Sequence, residues 1–374
     1  MSYFIDIHAL QTLPPSNINR DDTGSPKQAT FGGVPRQRVS SQAWKSAVRN
    51  DLQTRLHPEE MGVRTKRVVQ KIADRVLDTD SSWERAAAES AAKELLKTGG
   101  IKAETPKKKK GEEASAVAEV GYLLFLSNRQ LTRAAEAIIS GEKLAKKDVQ
   151  KILDQEHSVD IALFGRMVAD DAAYNVDASV QVAHALGVSE AEPEFDFYTA
   201  VDDVVKAAEE TGAGMMGTVE MTSSTLYRYA TVNLDGLAEN LADGEAAQKA
   251  AVEFVESFIT SMPTGKQNTF ANRTLPEAVV VSIRKDRPVS LVNAFETPVS
   301  QETVSGRRVQ AARQLAQEAT ALDAMYDTRP EAAWVMALPA LGTELSELGE
   351  SVNRTQLLEA LRQKLETLSG AGEQ

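Results

Sequence analysis

Hydrophobic and polar positions alternate from the start of the chain. Tyr3, Ile5, Ile7 and Ala9 stand against Phe4, Asp6, His8 and Leu10, a two-residue period that predicts a strand over 3–10 with one aliphatic and one mixed face. The period lapses over 11–37, which is rich in Pro, Asn, Asp and Gly. A long ordered loop is expected there, of the kind that carries function inside a domain, with a glycine-containing stretch at its end leading through a basic strand into the next element. A 3.6-residue period then begins: Ala43, Trp44, Ala47, Val48 and Leu52 fall on one side, and Gln42, Lys45, Ser46 and Arg49 on the other. That predicts an amphipathic helix over 41–53, with the hydroxyl of Ser40 or Ser41 as its N-cap.

From about 55 to 185 the texture is helical. Ser81-Ser82-Trp83-Glu84 has the spacing of a capping box, opening an alanine-rich helix that runs to about Lys97. Further helical runs are predicted over Val117–Ala137 and Lys146–Gln155, and the block has the look of an inserted subdomain. Between them, Pro106 and the four lysines Lys107 to Lys110 offer nothing to a core, and a solvated insert is expected. Alternation of strands and helices then returns: a strand over Met221–Asn233, a helix over Ala246–Met262, a buried strand over Ala278–Ile283, and helices over Val309–Tyr326 and Thr355–Leu368. In the last, Leu358, Leu361, Leu365 and Leu368 share one side. This order is compatible with an α+β fold of the split βαβ, RNA-recognition type, among other α+β folds.

Composition narrows the partners. With 42% hydrophobic and 26% charged residues over 374 positions, a soluble globular protein of one to three domains is expected. No apolar window is long enough to span a membrane, no signal peptide is evident, and the absence of cysteine removes disulfides, thiolate metal sites and cysteine nucleophiles. The expected compartment is the cytoplasm. A net charge of −12 argues against indiscriminate nucleic-acid binding. Within residues 1–50, however, six Lys/Arg face three acids, a local +3 on an otherwise acidic body. Arg36, Arg38, Lys45 and Arg49, with the free N–H groups of the helix start, could surround an anion.

Other candidate chemistry is thinner. Asp6 and His8 share a strand face, but no nucleophile joins them, so a structural or solvent-facing role is expected. Gly265-Lys266 resembles the end of a P-loop, yet Thr260 stands where its first glycine is needed. Gly212 and Gly214 precede a strand rather than a helix, and a hairpin tip suits them better than a dinucleotide loop.

Phe31-Gly32-Gly33 followed by Arg38-Val39-Ser40-Ser41-Gln42 resembles the signature of the CasC family, the backbone subunit of the type I-E CRISPR surveillance complex Cascade. Blocks in the same order along the chain resemble it too. They are Phe4 to His8, Asn19 to Asp22, Val159 to Met167, Phe197 to Asp203, Tyr227 to Ala230, Gly265 to Gln267 and Val292 to Glu296. Residues 55–155 and the last 75 or so carry little of the resemblance. The fold it implies is a modified RNA-recognition-motif (ferredoxin-like) palm at 1–58 and 181–374, a helical fingers insert at 59–180, and a thumb hairpin at about 190–225.

The function implied is to hold CRISPR RNA for pairing with target DNA in antiviral defence, in a homo-oligomer of about six head-to-tail copies with other Cascade subunits. No membrane, cofactor, metal or catalytic residue is implied. Arg20, Lys27, Arg38, Lys45, Arg49, Arg166 and Lys266 are then phosphate candidates. Ser40, Gln42, Thr199 and Gln267 would add neutral contacts, and Met167 and Tyr198 would flank a displaced nucleotide. The alternative within the wider superfamily is a metal-dependent ribonuclease using Asp21 or Asp22.

Overall fold

In the computed structural model, residues 2–106, 117–201, 213–300 and 305–370 are described. The lysine run 107–110, Gly212, and Asp202 and Asp203 lie outside them. The described chain forms two compact units: 1–51, 182–232 and 252–374 in one, 52–181 and 233–251 in the other.

The first unit is built on a mixed sheet. Its strands run in the order Glu350–Ser351, Ala332–Ala337, Ala278–Lys285, Tyr3–Ser16, Ala213–Asn233, Ala185–Gly187, Val34–Val39 and Gln28–Phe31. Tyr3–Ser16 pairs antiparallel with Ala278–Lys285 from Tyr3↔Lys285 to Leu10↔Ala278. This strand is longer than its alternating pattern implies, because Gln11 to Ser16 continue it. Residues 5–11 are all buried, so both faces of the sheet are covered. One face packs Leu10, Tyr227 and Val280 against helices Arg307–Tyr326 and Pro339–Leu345. The C-terminal helix Arg354–Gly370 buries Leu357, Leu361 and Leu365, so Leu357 joins the inward side and Leu358 is only half-buried.

The polar members of the central strands are absorbed inside. Asp6 accepts from the Tyr229 hydroxyl at 2.9 Å and the Val289 amide at 2.8 Å. His8 Nδ1 lies 2.9 Å from the Tyr227 hydroxyl. The Asp6–His8 pair is therefore structural, and burial pulls the imidazole pKa down to about 3.

One hairpin closes the end of this path and another branches from it. Gln28–Phe31 and Val34–Val39 form the first, through Gln28↔Gln37 and Phe31↔Val34; the latter is the basic strand expected before Ser40, and the former stands where only a loop was expected. Glu194–Val201 pairs antiparallel with the start of Ala213–Asn233 to form the other.

The second unit is mainly helical, with Val68–Thr79, Arg85–Thr98, Asn128–Ser140 and Lys146–Asp154 around a core of Val69, Ile72, Leu96, Leu131, Leu153 and Tyr174. The run expected to be helical from Val117 instead opens with short strands at Glu119–Val120 and Leu124–Ser127. The cap there is Ser127, whose hydroxyl accepts from the Gln130 amide at 3.0 Å. At Ser81-Ser82 no capping box forms, since the Asp80 carboxylate takes the Ser82 amide and hydroxyl instead. Glu84 becomes the N-cap without a side-chain bond.

Candidate nucleic-acid interface

The helix Ser41–Arg55 starts where the sequence placed it. Ser40 Oγ accepts from the Ala43 amide at 3.3 Å, and Trp44 and Val48 are buried beneath it. Gln42 is exposed, and Lys45 and Arg49 are half-buried along its length.

Backbone bonds gather further cations at that helix start. The Ser40 amide donates to Asn19 Oδ1 and the Lys27 amide to the Asn19 carbonyl, each at 2.9 Å. The Arg38 amide donates to the Lys27 carbonyl at 2.8 Å, and Arg20 bridges Pro26. Asn19 thus ties the Arg20–Lys27 loop to the strand that carries Arg38 and to the helix cap.

The Gly265-Lys266 turn closes on the same loop. A Cβ at Gly265 would lie 2.0 Å from the Ile18 carbonyl oxygen, so only glycine allows this approach. Lys266 follows in a left-handed conformation, φ 47°, and caps the short helix Gln267–Phe270. Arg20, Lys27, Arg38, Ser40 and the Lys266-Gln267 turn therefore converge around the start of the helix that carries Gln42, Lys45 and Arg49. Concentrated positive charge at a helix N-terminus is receptive to anions.

Two arginines of the expected set are not on this surface. Arg36 is fully buried; it donates to the carbonyls of Gly187 at 3.0 Å, Phe295 at 2.9 Å and Glu296 at 3.1 Å. Its guanidinium holds the Val292–Phe295 turn against the hairpin. Arg166, in the second unit, is also buried. It pairs with Asp154 at 2.6 Å and donates to the Tyr174 and Leu153 carbonyls at 2.7 and 2.9 Å. Positive charge type alone does not say whether a side chain faces water, and in both cases the backbone carbonyls of neighbouring loops take the donors.

Met167, beside Arg166, is 79% exposed. Tyr198 and Thr199 are exposed on the Glu194–Val201 hairpin, where Tyr198 stands opposite Gly217 and Thr199 opposite Met216. The Tyr198 ring lies across that glycine: a Cβ at position 217 would come within 2.5 Å of the phenol oxygen. Phe195 and Phe197, two residues apart and also exposed, were not singled out from the sequence.

Asp21 closes its own loop. Its Oδ1 accepts from the Thr23 hydroxyl and amide at 2.7 and 2.9 Å and from the Ser25 amide at 3.0 Å, which lowers its pKa. Among the described residues no three His, Asp or Glu side chains converge as a metal-binding group, and no helix is long and apolar enough to cross a membrane.

The sequence reading missed His184. Its exposed ring meets Arg38 Nη1 at 3.2 Å and the Ser41 amide at 3.3 Å. No local sequence pattern signals it; the Ala185–Gly187 strand, paired with Arg38 and Val39, brings it there.

These features define a mixed α+β protein with several cationic side chains carried by segments that meet at one helix start. A family model of CT1975-like proteins matches residues 5–364, and the chain belongs to that family. Among solved structures it is similar to a chain of a "CRISPR RNA-guided surveillance complex, pre-nicking", with 35% identity and a TM-score of 0.84, covering 97% of this chain and 100% of the other. A chain of another CRISPR RNA-guided surveillance complex is 30% identical with a TM-score of 0.74, covering 96% and 99%. No curated protein matches the chain.

Proposed function

We propose that this chain is the guide-holding backbone subunit of a CRISPR RNA-guided surveillance complex, of the type I-E Cascade kind, acting in antiviral defence. The observation that carries this reading is the convergence of Arg20, Lys27, Arg38 and Lys266 at the start of the Ser41–Arg55 helix. It occurs in a chain that aligns end to end with a member of such a complex.

Phosphates of the guide lie against these cations, with Ser40, Gln42 and Gln267 adding neutral bonds, while the base edges stay free to pair with target DNA. The sheet unit serves as palm, the helical unit as fingers and the Glu194–Val201 hairpin as thumb. Tyr198 and Met167 each meet a displaced nucleotide; a base stacked on an aromatic ring gains about 1–3 kcal/mol whatever its identity. About six copies stack head to tail along the guide, a heterologous contact that makes a filament. The subunit binds without performing chemistry, and cleavage falls to another protein.

The test is to co-express the chain with a CRISPR array, its processing enzyme and the other subunits, purify the product and sequence its nucleic acid. Spacer-derived RNA of uniform length in a large particle is expected. An RNA-free protein under those conditions would refute the reading. In the same preparation, regularly spaced cuts in complementary RNA that Asp22→Ala abolishes would refute the binding-only role.

A further inference from the structure

Strand register carries His184 to the cation cluster. Ala185–Gly187 pairs with Val34–Val39 through Arg38↔Leu186 and Val39↔Ala185, so the next step of the ladder sets His184 level with Ser40, the helix cap. Its Nδ1 then receives two groups, Arg38 Nη1 at 3.2 Å and the Ser41 amide at 3.3 Å. A guanidinium and a backbone N–H have only hydrogens to offer, so Nδ1 is the acceptor and the neutral ring carries its proton on Nε2. A second proton on Nδ1 would oppose two donors. In keeping with this, the pKa is held below its ordinary value, first by burial and then by Arg38 and Lys27. The residue is nevertheless exposed, with its Nε2 edge on the far side of the ring from these two donors.

We infer that His184 is a further guide-binding residue, a neutral Nε2–H donor to an oxygen of the ribose–phosphate backbone held beside Arg38 and Lys27. The inference rests on the guide-holding reading and names a contact within that same surface. A cation attracts phosphate from any direction, whereas a single N–H with its partner nitrogen pinned fixes where one oxygen must lie. The accepting oxygen belongs either to a phosphate or to a 2′-hydroxyl, and both present the same lone pairs to the ring.

Isosteric substitutions separate donating from positioning. In His184→Asn the amide oxygen takes the place of Nδ1 and nothing stands at Nε2; in His184→Gln the amide nitrogen reaches the Nε2 place. The full chain is titrated into a labelled single-stranded RNA and a DNA of the same sequence over a salt series, read by fluorescence anisotropy.

His184→Ala and His184→Asn are expected to bind RNA roughly 3- to 10-fold more weakly, the worth of one net hydrogen bond. His184→Gln stays near wild type. The slope of log K against log salt is unchanged in all three, because a neutral donor releases no counterion. Loss confined to RNA assigns the oxygen to the 2′-hydroxyl, and equal loss on both strands assigns it to phosphate. Full affinity in His184→Asn would overturn the proposal, since the ring would then merely hold Arg38 in place. A shallower slope in His184→Gln would overturn it as well, showing that the ring binds as a cation. Failure of the guide-holding reading is distinguishable, because the wild-type chain would then bind neither strand.

Discussion

Replacing Gly265 by Ala tests whether Lys266 is held where a guide backbone would pass. The added Cβ would sit 2.0 Å from the Ile18 carbonyl oxygen and 2.7 Å from its carbon. A carbon and a carbonyl oxygen rest comfortably no closer than about 3.3 Å, so one side must yield by roughly 1.3 Å. The Ile18 side is the stiffer. Ile18 itself is buried, and Asn19 next to it accepts from the Lys27 and Ser40 amides at 2.9 Å each. The Lys266 turn therefore moves, at an overpacking cost of about 1–3 kcal/mol of stability. Each phosphate neutralised on a single strand contributes about 0.7 to the slope of log K against log salt. Gly265→Ala should lower that slope by about 0.7, as Lys266→Ala should, making the loss of affinity from 50 to 200 mM salt about 2.6-fold smaller. Because both substitutions act through one ammonium group, the double variant should lose no more slope than either single one. Anisotropy titrations against single-stranded RNA measure the slope, and urea unfolding measures the stability. A Gly265→Ala protein with the wild-type slope would refute the reasoning.

Lys45→Ala combined with Arg49→Ala should likewise weaken RNA binding and lower its salt slope, and an unchanged slope would remove both from the groove. Arg166→Met should leave that slope unaltered in the folded protein but lower the urea midpoint. It strips donors from two buried carbonyls and Asp154, at about 2 kcal/mol or more; a wild-type midpoint would contradict its structural role. Tyr198→Ala should spare guide binding and weaken capture of target DNA, and Gly217→Ala should mimic it by evicting the ring; full target affinity in Tyr198→Ala would sink the wedge role. His8, with its pKa pulled down to about 3 by burial, stays neutral in the fold while the unfolded chain takes up a proton below pH 6.5. Stability should therefore fall as pH drops from 6.5. His8→Gln should remove about 1.6 kcal/mol of that fall, as read by urea unfolding at pH 6.5 and 5.

Local periodicity made some of this legible and could not reach the rest. The Ser40 cap and the Trp44–Val48 stripe depend on neighbours within one helical turn, and the sequence placed both correctly. Leu124-Phe125-Leu126 is a short unbroken apolar run, and such runs suit a buried strand as well as a helix, so the first half of the Val117–Ala137 run was misassigned while its second half is helical. The basic strand before Ser40 was legible, but its pairing with Gln28–Phe31 was hidden because that strand alternates weakly and the glycines beside it read as loop. Arg36, Arg38 and Arg166 look alike in sequence. They differ in whether carbonyls from residues far along the chain surround them, as Phe295 and Glu296 surround Arg36. His184 joins the site across 146 positions of sequence from Arg38, through strand pairing that no local pattern announces.

Beneath the helix that carries Lys45 lies a charge of another kind. Arg228 is buried, stacked 3.7 Å from the centre of the Trp44 ring and 4.4 Å from that of Phe258, and donates to Gln11 and to the Phe258 carbonyl. Among the described residues it forms no ion pair, and burial pulls its pKa down only to about 9, so it stays charged at neutral pH. Counterions screen exposed lysines within about 8 Å of solution at physiological salt, but they cannot enter a packed core. The contacts of Arg228 with Trp44, Phe258 and Gln11 therefore persist at salt concentrations that mute Lys27, Lys45 and Lys266. The footing of the helix that carries Lys45 and Arg49 is then independent of the medium. Rising ionic strength should weaken the grip of those exposed cations on an anion without loosening the helix that positions them.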